Sequence, residues 1–178
     1  ICGLTMPTDR FVYSQLPPRS EWPVFLTLAH EPQPEHAFNL VEQLLQGSLQ
    51  QPWADRPLFR SSSLSLTYRE VLALVNQRVR VLVHDLQLQP GNRVLIRGGN
   101  SIGFALAWLA VVKAGLIAVA TMPMLRAMEL EAIVDIAEIG LALCDTRLMD
   151  ELVACAKDSR FLKKVIGFDG TANHDAEL

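Results

Sequence analysis

Hydrophobic residues recur along this chain with two periods, and the exchange between them sets its architecture. From residue 93 onward, short apolar runs of strand length alternate with stretches of helical spacing. The runs are Val94-Leu95-Ile96, Leu116 to Ala120, Leu141-Ala142-Leu143-Cys144 and Lys164-Val165-Ile166-Gly167-Phe168. Between them lie Ile102 to Ala114, with Asn100 or Ser101 as cap and Gly115 at its end, and Met128 to Ile139, with Leu130, Ile133, Val134 and Ala137 inward. A third helix is capped by Thr146 and runs to about Lys157. Strands that are apolar throughout suit a sheet covered on both faces. Strand–helix alternation therefore predicts an α/β fold, a parallel doubly wound sheet with flanking helices and right-handed crossovers.

Upstream the pattern is different. Residues 1–37 carry six of the ten prolines, which fix φ and remove backbone donors, so no regular helix or central strand is expected there. Phe11, Tyr13, Trp22, Phe25 and Leu28 make a solvated linker implausible. The stretch reads as an extended arm whose aromatics pack on a neighbouring surface. Asn39 followed by Glu42 opens a helix that Pro52 stops. Leu58-Phe59 and Leu64-Ser65-Leu66 flank Ser61-Ser62-Ser63 as a hairpin. Thr67-Tyr68-Arg69-Glu70 is a capping box for a long helix that buries Tyr68, Val71, Leu72, Val75, Val79, Leu82, Val83 and Leu86. It leaves Arg69, Gln77, Arg78, Arg80 and Asp85 largely to solvent. The expected organisation is an arm over 1–37, a folded unit over 38–170 and a polar tail over 171–178.

Composition narrows the function classes. The 178 residues are 50% hydrophobic and 20% charged, with a net charge of −3. A slightly acidic balance argues against a polybasic nucleic-acid binder. The most apolar window, Ile102 to Leu125, is broken by Lys113 and Gly115 and closed by Pro123, so no membrane span is expected. The first ten residues lack the basic and apolar regions of a secretory leader. Cys2, Cys144 and Cys155 are odd in number and widely spaced, which suits reduced thiols in the cytoplasm. His30, His36, His84 and His174 show no metal-ligand spacing, so no metal site is expected.

Candidate chemistry is sparse. Arg97-Gly98-Gly99-Asn100-Ser101-Ile102-Gly103 sits between a strand and a helix, where a phosphate-binding loop belongs. Phe104-Ala105 stand where a P-loop needs Lys and Ser/Thr, and the glycines do not fit the dinucleotide fingerprint. A tight turn, or a backbone-lined wall of a ligand site, are both open readings. Asp135 and Glu138, with Glu129 and Glu131 upstream, read as a solvated helix face rather than an acid–base pair. Ser61 to Ser63 lack a nucleophile elbow. Cys144, Phe104 and Trp108 read as core. No catalytic, cofactor-binding or metal residue is assigned.

Three stretches, taken together, resemble the N-terminal region of the adenylate-forming (AMP-binding) acyl-CoA synthetases. They are Leu66-Thr67-Tyr68-Arg69-Glu70-Val71, Gln89-Pro90-Gly91-Asn92-Arg93-Val94-Leu95-Ile96, and Gly99-Asn100-Ser101 followed by Ala107-Trp108-Leu109-Ala110-Val111-Val112-Lys113-Ala114-Gly115. Leu16-Pro17-Pro18-Arg19, Glu21-Trp22-Pro23 and Thr121-Met122-Pro123-Met124-Leu125-Arg126 are similar to the benzoate- and 2-aminobenzoate-CoA ligase branch. The resemblance covers about residues 36 to 170. It implies a ligase that joins a carboxylic acid, in that branch an aromatic one, to CoA through an acyl-adenylate, using ATP and magnesium. The family's Ser/Thr/Gly-rich phosphate loop, its later acidic nucleotide motifs and its C-terminal catalytic lysine have no counterpart here. The chain is thus expected to be about the first third of such an enzyme: inactive and without bound ATP on its own, partnered by the rest of the enzyme, and prone to homo-oligomerise. A free-standing interaction or nucleotide-binding module with a Rossmann-like fold remains the alternative.

Overall fold

The computed structural model describes residues 8–24 and 39–169. In chain order these form a single turn α1 (Phe11–Ser14), β1 (Pro57–Arg60), β2 (Ser65–Thr67), α2 (Tyr68–Arg80), β3 (Arg93–Arg97), α3 (Ile102–Lys113), β4 (Ile117–Thr121), α4 (Ala127–Ala137), β5 (Leu141–Asp145), α5 (Met149–Asp158) and β6 (Lys164–Phe168). β1 and β2 are an antiparallel hairpin; β4-β3-β5-β6, in that order, are a parallel sheet.

The period-two alternation of strand side chains builds two cores. Val94, Ile96, Leu141 and Leu143 face α2 and α3, and Leu95, Ala142 and Cys144 face α4 and α5. Leu130, Val134, Ile139 and Leu152 are fully buried on the second side. Each such side chain contributes roughly 1.5–3 kcal/mol of burial. The strand order reverses at β3: β4 lies on one side of it, and the chain returns across it through α4 to place β5 on the other. The carboxyl ends of β3 and β5 therefore flank a topological switch point, the place where open α/β sheets bind ligands.

Local signals fix the helix ends. The Thr67 hydroxyl accepts from the Glu70 amide at 3.2 Å and a Glu70 carboxylate oxygen accepts from the Thr67 amide at 2.8 Å, completing the capping box. Ser101, rather than Asn100, caps α3, its hydroxyl accepting from the Phe104 amide at 3.1 Å. α3 closes where Gly115 adopts φ +74°, a left-handed conformation that costs a glycine little.

Several expectations are corrected by packing. The helix expected from Asn39 is a π-type turn over Glu42–Gln46 followed by a 3₁₀ turn over Gly47–Gln50. Asn39 still caps it, accepting from the Val41 and Glu42 amides, while its amide nitrogen donates to the Val112 and Lys113 carbonyls at the end of α3. One side chain thus joins two helix termini. Glu42 lies 3.6 Å from the Lys113 ammonium. Arg78 is buried, not solvated: it packs beside Ala107 and Ala110 of α3, whose small side chains leave room for its stem, and its guanidinium donates to the Leu74 carbonyl at 3.2 Å. Burial pushes its pKa down. The helix after β5 is capped by Asp145 rather than Thr146, with a 3₁₀ turn over Thr146–Leu148 before α5.

The arm is only partly extended, with one helical turn at α1 and a 3₁₀ turn over Arg19–Glu21. Asp9 accepts from the Asn92 amide at 2.8 Å and pairs with Arg93, whose guanidinium lies 4.5 Å from the Phe11 ring centroid. Tyr13, Leu16, Trp22 and Val24 remain exposed; Phe25 and Leu28 lie outside the described residues, as do Cys2, His30, His36, His174 and the tail over 171–178.

Candidate functional site

The carboxyl ends of β3 and β5 carry charged groups that the apolar strands would not lead one to expect. Arg97 ends β3 and is 2% exposed. Its register partners are Thr121 on β4 and Cys144 on β5. Nη2 donates to the Pro123 carbonyl at 2.7 Å, whereas Nε and Nη1 are buried with no hydrogen-bond partner. Asp145 ends β5 and is fully buried. Its carboxylate accepts from the Arg147 amide at 3.0 Å, from Arg147 Nε at 3.0 Å and from Arg147 Nη2 at 2.6 Å. The Arg147 guanidinium holds the Asp145 carboxyl below the usual carboxylate range, against the opposing effect of burial. Glu151, from the first turn of α5, accepts from the Ala127 amide at 2.8 Å and from Arg126 at 2.8 Å, so an α5 carboxylate serves the N-terminus of α4. Arg126 first and the Ala127 amide second hold its carboxyl down, and Arg97 adds to the effect.

The glycine loop between β3 and α3 closes on the chain itself. A Cβ at Gly103 would lie 2.3 Å from the Asp169 carbonyl oxygen, and one at Gly98 would lie 3.0 Å from Phe104 and 3.1 Å from Phe168. The exit of β6 therefore fills the place a phosphate cradle would leave open, and these glycines serve close packing. Gly99 alone faces open space. The serine cluster is a turn: the Ser61 hydroxyl accepts from the Ser63 and Leu64 amides. Glu129 caps α4 through the Arg126 amide. Asp135 and Glu138 are exposed, and Glu138 ends α4 at φ +48°. No group of three or more metal-ligating side chains occurs among the described residues. No helix among them is long and apolar enough to cross a membrane.

Cys144 lies beside Arg97 on the α4–α5 face, fully buried. Burial pushes its thiol up to about 12, although the Arg97 charge opposes this. The folded chain should therefore react with a polar thiol reagent at Cys144 only after unfolding; rapid native labelling of Cys144, located by peptide mass mapping, would contradict the burial. Phe104 and Trp108 are half-buried rather than wholly core. With Phe59, Ala105, Leu109 and Ala120 they line an open apolar groove beside the edge strand β4.

The family model described as AMP-binding enzyme matches residues 48–177, which include every strand of the parallel sheet. The chain belongs to the AMP-binding enzyme family. Its fold is shared with several solved structures. An anthranilate CoA ligase, AuaEII, in complex with anthranoyl-AMP superposes with a TM-score of 0.66 at 20% identity, covering 72% of this chain and 24% of that one. A benzoate CoA ligase from Burkholderia xenovorans LB400 gives 0.64 at 15% identity, covering 72% and 25%. Apo MatB from Rhodopseudomonas palustris gives 0.63 at 24% identity, covering 74% and 26%. The chain thus spans about a quarter of the length of these structures. No curated protein sequence matches it. Within this AMP-binding fold, Arg97 and Asp145 were missed by sequence reasoning. The available signal was a charged residue closing each of two otherwise apolar strands.

Proposed function

We propose that this chain is the N-terminal part of an ATP-dependent acyl-CoA ligase that converts a carboxylic acid, ATP and CoA to acyl-CoA, AMP and pyrophosphate through an acyl-adenylate. The family match over residues 48–177 carries this reading. Anthranilate and benzoate CoA ligases among the structures of similar fold, together with the Thr121–Arg126 motif, support an aromatic acid. The unit over 38–170 serves as a subdomain of the enzyme, with 1–37 as its arm and 171–178 as a polar tail, in the cytoplasm.

The described residues contribute no cradle for a triphosphate and its magnesium. Neutralising charge on transferring phosphates needs fixed cationic groups and backbone donors. The only strand-to-helix glycine loop among them is packed shut by Asp169, and it bears no lysine. ATP chemistry therefore belongs to the remainder of the enzyme. The apolar groove at Phe104 and Trp108 and, separately, the exposed Met122, Met124 and Met128 are apolar area that favours self-association of the 178-residue chain in isolation.

Pyrophosphate release by the complete gene product, with ATP, magnesium and CoA, tests the ligase reading. Turnover is expected with benzoate or 2-aminobenzoate, and its absence with every carboxylic acid tried would overturn the reading. The 178-residue chain assayed in parallel should release none and should sediment as a dimer or larger. Micromolar ATP affinity, or a strict monomer, would overturn the corresponding part.

A further inference from the structure

The amino end of the sheet, opposite the switch point, holds a contact that the ligase reading leaves unused. Among residues 8–24 only Asp9, Phe11 and Val12 are half-buried, and residues 13–24 are exposed throughout. The arm is therefore fastened to the folded unit at one place. There the Asp9 amide donates to the Pro90 carbonyl at 3.0 Å. The Asp9 carboxylate accepts from the Asn92 side chain at 2.8 Å and from Arg93, and the Phe11 ring lies 4.5 Å from the Arg93 guanidinium. Arg93 opens β3, and its side chain is 7% exposed. Its other donors reach the end of α4, Nε to the Ala137 carbonyl at 2.8 Å and Nη2 to the Glu138 carbonyl at 3.1 Å. Glu138 stands at φ +48°, a left-handed backbone that a residue with a side chain keeps only where its surroundings hold it. Among the described residues, Asp9 is the carboxylate paired with Arg93. Without it a buried cation would be left with carbonyl partners alone, and a guanidinium on a long stem then turns to water.

We propose that the amino end of the sheet is a docking site for Asp9 and Phe11 of the chain's own arm, and that Arg93 couples this docking to the end of α4, so that release of the arm frees Arg93 and loosens the turn at Glu138. The proposal stands on these contacts, independently of the ligase reading. Two further features fit it. The helical turns of the arm contain no buried residue, so the arm leaves without unfolding the core and its release costs only the latch. Asn92 also divides its side chain between two tasks. Oδ1 accepts from the Gln89 amide at 2.9 Å and closes the turn before β3, whereas Nδ2 is the donor to Asp9. Asn92→Asp therefore keeps the turn and sets a like charge against Asp9, which switches recognition off without touching the core.

Limited trypsin digestion of the 178-residue chain, followed by mass spectrometry, reads docking at Arg10. The bond after Arg10 lies between Asp9 and Phe11, so its cleavage waits for the arm to leave, whereas Arg19 is exposed in the docked arm and serves as the internal reference. Asp9→Ala and, independently, Asn92→Asp should each speed cleavage at Arg10 relative to Arg19 about tenfold, because hydrogen bonds to a charged group are lost. Asp9→Asn combined with Asn92→Asp exchanges the two groups and keeps one negative charge beside Arg93, so it should recover part of the protection lost in Asn92→Asp alone. In Asp9→Ala and Asn92→Asp, amide hydrogen exchange should quicken severalfold at Glu138 and Ile139 and stay unchanged at Glu129 and Leu130, at the start of α4. Unaltered cleavage at Arg10, or no recovery in the exchange variant, would overturn the docking site. Release of the arm with no change at Glu138 and Ile139 would overturn the coupling. Should Asn92→Asp fail to fold, Asp9→Ala decides the matter, since Asp9 lies outside both cores. Protection of Arg10 that is lost on dilution would place a second copy's arm in the site and overturn the assignment to the chain's own.

Discussion

Replacing Gly103 by alanine is expected to destabilise the chain by about 3 kcal/mol, the upper end of what overpacking costs. At an ordinary helix position the same change would stabilise by about 0.5–1 kcal/mol, because glycine loses more backbone freedom on folding than alanine. The sign is reversed by one contact. The new Cβ would stand 2.3 Å from the Asp169 carbonyl oxygen, an approach that real Cβ atoms essentially never show. The obstacle is backbone, so no rotamer change relieves it; either α3 or the exit of β6 must move. Phe168 stands 3.2 Å from the same Cβ and is buried in the core that α2 and α3 share, so the movement spreads. Gly99→Ala is the matched control: nothing lies within 4 Å of its Cβ, and its effect should stay within about 0.5 kcal/mol. Chemical denaturation of both variants checks the pair, and equal stabilities would show that the glycine loop is not packed as described.

Truncating Asp145 to alanine should cost about 2–3 kcal/mol, since three hydrogen bonds go and the Arg147 amide loses its acceptor. The effect should be pH-dependent. The Asp145 carboxyl in the folded chain lies below its ordinary value of 3.8, because Arg147 favours the charged form. Asp9 is lowered likewise: burial raises it, but the Phe11 amide, Asn92 and Arg93 together prevail. A carboxyl whose folded pKa is depressed binds fewer protons folded than unfolded, so its stabilisation is complete above the unfolded pKa and is lost as the pH falls through the folded one. Both groups should therefore add no slope above about pH 5 and should make stability fall steadily from there through 3.8 and below. Asp145→Asn, which keeps the shape but cannot ionise, should flatten that acid limb. Unfolding free energies measured between about pH 3 and 7 decide it, and an unchanged acid slope would show that the Asp145–Arg147 pair contributes nothing.

Much of the architecture was present in the order of the residues. The four apolar runs became the four parallel strands, and β6 begins and ends on the residues expected, Lys164 and Phe168. The Thr67 capping box, the Ser101 cap and the Gly115 stop are local chemistry, made within four residues of where they act, so periodicity and cap spelling suffice to place them. The family, too, was legible in stretches of the chain, because those stretches are elements of the fold.

What the order of residues could not decide depends on contacts distant in sequence. Arg78 reads as a solvated helix residue until Ala107 and Ala110 pack opposite it. Asn39 reads as one cap until the end of α3, more than seventy residues on, proves to share it. Gly103 reads equally as part of a tight turn or of a ligand wall until Asp169 arrives from β6. Arg97 reads as the first residue of the glycine loop until it ends β3 and the turn at Pro123 folds over it. A sequence period reports which face an element buries, since that is set every two or every three to four residues along the chain itself. Which charge ends up beneath which turn is set only when the sheet order β4-β3-β5-β6 brings three strand ends together, and that is a property of the tertiary structure alone.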